Sequence, residues 1–553
     1  MTAPARTLRT AATVTAIALV AVVATLVVAV TPASATSYVP VTGDGSSWSA
    51  GALDQWIADV HASGIQINYT PDGSTTGRNN FILGQSDFAA SDIPFQTAPG
   101  DGSAPEHPQA GSYAYMPITA GGTVFMYNLK INGQRVTNLR LSPTNITKIF
   151  TGAITNWNDP GLAADNPALQ MPNQTIVPVV RADGSGTSFE LTEWMISQNG
   201  GLWNSYCSRV GRAPACGATS FYPTTTGMIA QNGDLGVASY VSQGFANGSI
   251  GYVNYYYALS QKFPVAQVLN AAGYYTEPTP QNVAVSLLQD KVNTTDVNNP
   301  ALYLTQQLSG VYTDPDPRTY PLSSYGYLIL PTKVGNSFTA AKGATLAAFS
   351  YYAMCQGQQQ SASLGYSPMP INLVQAAFAQ IAKIPGANVQ SINIATCNNP
   401  TFTSSGVNLL ATTAPYPPAC DKQGPTQCTT GTGGAVATAT PVSKGAAAGA
   451  AGRTAAASAK GGTSAAAGAT TGTGATGSGG GGAAASCDPS TGACDTGSGG
   501  GSSISPTAAT ATLATGTGWG STQTLLVLIG LALLALLLIP GLLSRRLERK
   551  RAP

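Results

Sequence analysis

Arg181-Ala182-Asp183-Gly184-Ser185-Gly186-Thr187 decides how this chain is read. It follows the apolar, β-branched run Ile176-Val177-Pro178-Val179-Val180. It precedes a helical pattern with Leu191, Trp194, Met195 and Gln198 at i, i+3, i+4 and i+7. The expectation is a strand, a Gly/Ser loop and a helix N-terminus in succession. Free N–H groups at such a junction favour an anion. Ser185 and Thr187 add hydroxyls, and Arg181 adds a planar fork suited to an oxyanion. Asp183 belongs in an anion site only if the ligand brings a proton. Taken alone, the turn is equally readable as a plain helix cap.

Two further segments shift the balance. Gly43-Asp44-Gly45-Ser46-Ser47-Trp48 stands before a helix with Leu53, Trp56, Ile57 and Val60 on one face. Asn68-Tyr69-Thr70-Pro71-Asp72-Gly73-Ser74-Thr75-Thr76-Gly77 follows the short strand Ile65-Gln66-Ile67 and leads to Asp87-Phe88-Ala89-Ala90-Ser91-Asp92. Each sets hydroxyls or glycine N–H groups at a strand-to-helix junction. Three such junctions imply convergence on one small anion.

These segments resemble a known family, the periplasmic or extracellular phosphate-binding proteins of Pst-type ABC transporters. The resemblance rests on residues 181–189 and on Asp87–Asp92. It rests further on Ile149-Phe150-Thr151-Gly152-Ala153-Ile154-Thr155-Asn156-Trp157-Asn158-Asp159, on Gly248-Ser249-Ile250-Gly251-Tyr252-Val253 and on Tyr320-Pro321-Leu322. It spans roughly residues 41–385, with the segments in the family's order. It implies a two-lobed α/β fold of the type II periplasmic-binding-protein kind, with a hinge and a ligand cleft. The implied phosphate ligands are Ser47 and Trp48, where the family has threonine and phenylalanine, then Ser74, Asp92 as proton acceptor, Arg181, Asp183, Ser185, Gly186 and Thr187. The implied partners are inorganic phosphate and the permease and ATPase subunits of a transporter.

The two ends read differently. Residues 1–35 carry Arg6 and Arg9, an apolar stretch and Ala33-Ser34-Ala35, the pattern of a cleaved signal peptide; an uncleaved anchor is the alternative. Residues 524–543 are expected to be a transmembrane helix: the uncharged, Leu-rich run from Leu525 to Leu543 would be about 28 Å long as a helix, close to the hydrocarbon thickness of about 30 Å. Arg545, Arg546, Arg549, Lys550 and Arg551 lie in the tail 544–553, which the positive-inside rule makes cytoplasmic. The expected location is therefore the cell membrane, single-pass, with the binding domain outside. Residues 416–523, rich in Ala, Gly, Ser and Thr, are expected to be a tether without a core of its own.

Residues 36–415 are expected to fold as one two-lobed domain. The first lobe would hold about 38–120 and 320–415, and the second about 121–319. In the second, Ser142, Pro143 and Leu141 with Ile146 give a helix start, and Gly152 gives its end. Eight cysteines on an exported chain read as disulfides. The sequence leaves their connectivity open; nearest-neighbour pairing gives Cys207–Cys216, Cys355–Cys397, Cys420–Cys428 and Cys487–Cys494. No Cys-x-x-Cys pair or neighbouring histidine argues for a metal.

Net charge is +2 with 9% charged residues, and no basic patch points to nucleic acid. A secreted phosphatase would need a metal cluster or a nucleophile with its base. The chain has two histidines, His61 and His107, neither in a catalytic motif. Glu190 and Glu193 read as an exposed pair on their helix. The expectation is a binding protein without catalytic residues or cofactor. A phosphatase-like or wall-associated protein on the same fold is the alternative.

Overall fold

A computed structural model describes residues 38–212, 216–389, 397–402, 407–432 and 437–439. The expected signal peptide, the pair Cys487–Cys494, the run 524–543 and the basic tail lie outside the described residues. The first lobe opens with β1 (Val41–Gly45), α1 (Ala50–His61), β2 (Ile67–Thr70), α2 (Ser74–Leu83) and β3 (Phe88–Ser91). β1 lies between β2 and β3 and runs parallel to both. Connections between parallel strands must cross over, which places α1 and α2 on the sheet faces and their N-termini at the strands' C-terminal edge. Trp56, Leu53 and Val60 of α1 are buried against the sheet.

β4 (Tyr113–Tyr127) serves both lobes. Every one of its residues is buried, and its partner changes along its length. The short hairpin β5 (Lys130–Ile131) and β6 (Gln134–Arg135) follows it, then β7 (Arg140–Leu141), α3 (Pro143–Phe150) and α4 (Pro160–Asp165). α3 starts as its sequence dictates, with Ser142 accepting the Asn145 N–H and Pro143 in the first turn. Next come β8 (Val177–Arg181), α5 (Gly186–Arg209), β9 (Ile229–Gln231), α6 (Gly233–Val241), β10 (Ser249–Asn254) and α7 (Tyr255–Ser260). β11 (Gln267–Leu269), β12 (Tyr275–Thr276), α8 (Pro280–Ser286) and α9 (Ser309–Tyr312) precede β13 (Ser323–Pro331).

The strand order is β2-β1-β3-β13-β4-β10-β8-β9. β13 pairs antiparallel with β4 from Tyr113 to Gly122, and β10 pairs with β4 from Thr123 to Tyr127. The change of partner between Gly122 and Thr123 is where the chain passes from one lobe to the other. The return runs through Tyr320, whose hydroxyl donates to the Thr123 carbonyl at 2.8 Å. The fold is thus the two-lobed α/β arrangement expected, with two strands as the hinge.

α10 (Ala340–Met354) packs on α1, followed by α11 (Gln358–Ser361) and α12 (Ile371–Ile381). The expected boundary at residue 415 needs correction. α13 (Leu409–Thr413) packs on α8 through Ala284, Val285, Ala411 and Ala414. Residues 416–432 then lie along the second lobe rather than in a tether. Arg140 pairs with Asp421 at 3.1 Å, both buried, and donates to the Thr426 carbonyl at 2.9 Å. Gln427 accepts the Ala168 N–H at 3.1 Å and donates to the Asn138 carbonyl at 2.7 Å. The short strands β14 (Thr430–Thr432) and β15 (Ala437–Ala439) pair with each other. Low apolar content hid this segment, because side chain–backbone hydrogen bonds hold it rather than apolar burial. Cys207–Cys216, Cys355–Cys397 and Cys420–Cys428 are bonded, the pairing expected.

Candidate functional site

Four helix N-termini face one another across the cleft, those of α1 and α2 from the first lobe and of α5 and α6 from the second. Arg181, the last residue of β8, stands among them with 2% of its surface exposed. Its Nε and Nη2 donate to the two oxygens of Asp183 at 2.8 and 2.5 Å. Its Nη1 donates to Asp234 Oδ2 at 2.5 Å and reaches Thr187 Oγ1 at 3.5 Å. Burial works against the guanidinium charge, but Asp234 and Asp183 outweigh it and hold Arg181 protonated above the usual arginine range. Burial would raise Asp183; Arg181 and the Gly233 N–H reverse this and hold its carboxyl below the usual range.

Asp92, just after β3, is the opposite case. Burial raises it to about 6, with Asp234 adding to the rise and Ser46, Arg181 and Ser74 opposing it. Ser46 Oγ donates to Asp92 Oδ1. Ser74 Oγ and Thr187 Oγ1 both lie 3.3 Å from Oδ2. The Thr187 contact crosses between the lobes. Ser47 Oγ crosses too, donating to Asp234 Oδ2 at 2.6 Å, and the Thr75 N–H donates to the Gly184 carbonyl at 2.9 Å. A Cβ on Gly186 would lie 2.8 Å from Asp92 Cβ and from Ser74 Oγ. Only glycine lets α5 come this close to the first lobe.

All nine residues singled out from the sequence therefore meet in one place, though not in equal roles. Ser185 caps α5, its Oγ accepting the Ser188 N–H at 3.1 Å. Trp48 turns its fully buried indole into the hinge, where Nε1 donates to Thr123 Oγ1 at 3.1 Å and the ring meets Tyr366 edge-on. Its N–H, with those of Gly186 and Thr187, takes no acceptor among the described residues. Two members were not foreseen. Ser46 is adjacent to residues that were singled out. Asp234 follows Asn232-Gly233 at the start of α6, a fourth strand-to-helix junction whose signal was one glycine. Its Oδ1 accepts the Asn254 N–H at 2.7 Å.

The exposed carboxylate pair on α5 is corrected in half. Glu193 lies at the surface, but Glu190 is buried, on the same face as Leu191 and Trp194. Ser324 Oγ and Gln306 Nε2 donate to it at 2.8 and 2.9 Å, and Gln306 also reaches the Asp92 carbonyl at 3.2 Å. Burial first, then the charge of Asp92, pushes Glu190 well above the usual carboxylate range. His61 and His107 are both exposed and away from this cluster.

Residues 30–356 match the model of the PBP superfamily domain. The phosphate-binding protein PstS of Xylella fastidiosa (strain Temecula1) is 32% identical over 353 residues, covering 63% of this chain and 86% of that protein. The phosphate-binding protein PstS 2 of Mycobacterium tuberculosis (strain H37Rv) is 27% identical over 331 residues, covering 59% of this chain and 82% of that protein. Among solved structures, a phosphate-binding protein from Stenotrophomonas maltophilia aligns at 21% identity with a TM-score of 0.44, covering 64% of this chain and 97% of its own. With four helix N-termini gathered on one buried arginine and the superfamily match spanning more than half its length, the chain belongs to the PBP superfamily, among the relatives of the PstS proteins.

Proposed function

We propose that this protein is an exported solute-binding protein that captures inorganic phosphate in the cleft. The observation that carries the reading is the charge balance. Asp92, Asp183 and Asp234 surround the single guanidinium of Arg181: Asp183 and Asp234 pair with it directly, and Asp92, though raised to about 6, is still mostly ionised at neutral pH and can accept a proton. Such a site suits an anion that carries its own proton. Phosphate at neutral pH donates a hydrogen bond to Asp92, while the N–H groups of Trp48, Gly186 and Thr187 and the hydroxyls of Ser47, Ser74, Ser185 and Thr187 donate to its oxygens. Sulfate has no proton and would set lone pairs against carboxylates in a dry cleft.

Capture without conversion rests on kinship to the PstS phosphate-binding proteins. Delivery to the permease and ATPase subunits of an ABC transporter follows from kinship to PstS proteins. The Leu-rich run 524–543 and its basic tail support a single-pass anchor that keeps the binding domain outside; among the described residues no helix is long and apolar enough to cross a membrane. The test is a calorimetric titration with inorganic phosphate at neutral pH, followed by competition with arsenate and sulfate. Phosphate and arsenate should bind and sulfate should not displace them. Tight sulfate binding would sink the reading.

A further inference from the structure

The loop between β3 and β4 closes on itself before it touches the other lobe. The Gln96 N–H donates to Glu106 Oε2 at 2.7 Å, and the Glu106 N–H donates to the Gln96 carbonyl at 2.9 Å. The Glu106 carboxylate takes Arg78 Nε at 2.8 Å, both side chains buried. Arg78 also donates to Ser91 Oγ at 2.9 Å and Thr75 Oγ1 at 3.3 Å, which fixes the loop's base to α2. Residues 97–105 thus form a compact loop with pinned ends.

Its tip reaches the second lobe. Asp101 Oδ1 accepts the Ser103 N–H and Oγ at 3.0 and 2.6 Å, and Oδ2 accepts Thr219 Oγ1 at 2.6 Å. The receiving side is rigid. Thr219 is fully buried and its N–H donates to Thr192 Oγ1 at 2.9 Å; the Gly217 carbonyl accepts Trp203 Nε1 at 3.0 Å. Cys216 ties the start of this segment to Cys207 on α5. Gly217 has φ +56°, and a Cβ there would stand 2.7 Å from the Gly100 carbonyl oxygen, so a larger residue would hold the two loops apart. Between this loop, α2 and α5 lies a cavity of about 200 Å³ with Phe189, Ser220 and Phe221 on its far wall.

We propose that residues 97–105 are a strap that latches the first lobe to the second, and that the Asp101–Thr219 hydrogen bond governs how slowly the captured anion leaves. The inference rests on the phosphate reading above, but Asp101 and Thr219 belong to the hinge motion and not to the anion site. They are positioning residues. The bond exists only with the lobes together, so opening must break it, whereas capture begins with the lobes apart. Weakening the latch therefore raises the release rate and leaves the capture rate alone.

The test is stopped-flow kinetics of the full chain with inorganic phosphate, read by tryptophan fluorescence. Thr219→Val and Asp101→Ala should each speed release about tenfold with capture unchanged. Thr219→Ser keeps the hydroxyl and should restore slow release. The double variant should release no faster than either single one, the mark of two groups acting through one bond. Release within about twofold of the unaltered protein in both single variants, with phosphate still binding, would overturn the latch and leave the phosphate reading intact. Absence of phosphate binding in the unaltered protein would overturn the reading on which the latch rests.

Discussion

Removing the Arg181 guanidinium leaves Asp183 and Asp234 without their cation in a buried place. Arg181→Ala should therefore weaken phosphate binding by at least about thirtyfold, a charge-assisted contact in a desolvated site being worth about 2–5 kcal/mol. Calorimetry showing less than a threefold change would remove Arg181 from the ligand set. Asp92 makes a prediction with a sign. Its carboxyl lies at about 6 in the fold against an ordinary 3.8. A group raised by folding favours the fold fully below its unfolded value and loses that advantage as pH rises through the folded one. Between pH 4 and 6 the ligand-free protein should lose about 2 kcal/mol through this group, and Asp92→Asn should flatten that slope. Denaturant titrations at pH 4 and 6.5 decide it; an unchanged slope in the variant would show that Asp92 is not the group responsible. The same variant should narrow the preference for phosphate over sulfate, since asparagine can turn a donor toward a proton-free anion. Ser47 and Asp92 were legible because hydroxyls and acids clustered at recognisable turns. Glu190 was not, because a buried carboxyl stabilised by Ser324 and Gln306 leaves no mark in helical periodicity.

Helix starts are the elements that matter here, and their spacing is set by glycine. Gly186 opens α5 against Ser74 and Asp92 of the first lobe. Gly186→Ala places a methyl group where the lobes meet, yet it suits the first turn of a helix in its own right. The variant should unfold at a temperature close to that of the parent while binding phosphate at least about fivefold more weakly, a small-to-large insertion at a tight contact costing about 1–3 kcal/mol. Calorimetry with a thermal melt separates the two effects; unimpaired binding would mean that the lobes need not approach this closely. Element by element, the sequence was most readable where capping and apolar periodicity agreed. α3 is an example, with Ser142 as cap and Pro143 in its first turn. α6 was passed over because its apolar face is short.

At the scale of the molecule, the two-lobed plan was legible from motif order, whereas the end of the folded part was not. The strip 416–432 has few apolar residues, and what holds it is the pairing of Arg140 with Asp421 and the hydrogen bonds of Gln427. A fragment ending at 415 leaves Arg140 without that partner, which typically costs about 3–5 kcal/mol for a buried ion pair. It should melt well below a fragment ending at 440, by differential scanning calorimetry under oxidising conditions; equal melting points would return residues 416–432 to the tether. The stitching of this strip to the second lobe also decides how the molecule can be wired. The chain enters through the first lobe, where the Val39 N–H donates to Thr345 Oγ1 at 3.1 Å. It leaves through the second, where Thr432 accepts the Val265 N–H at 2.9 Å. The two ends thus ride on opposite jaws. Fluorescent donor and acceptor proteins fused at these ends would turn each opening and closing into a change in energy transfer, making the protein an optical gauge for its ligand with no internal residue altered.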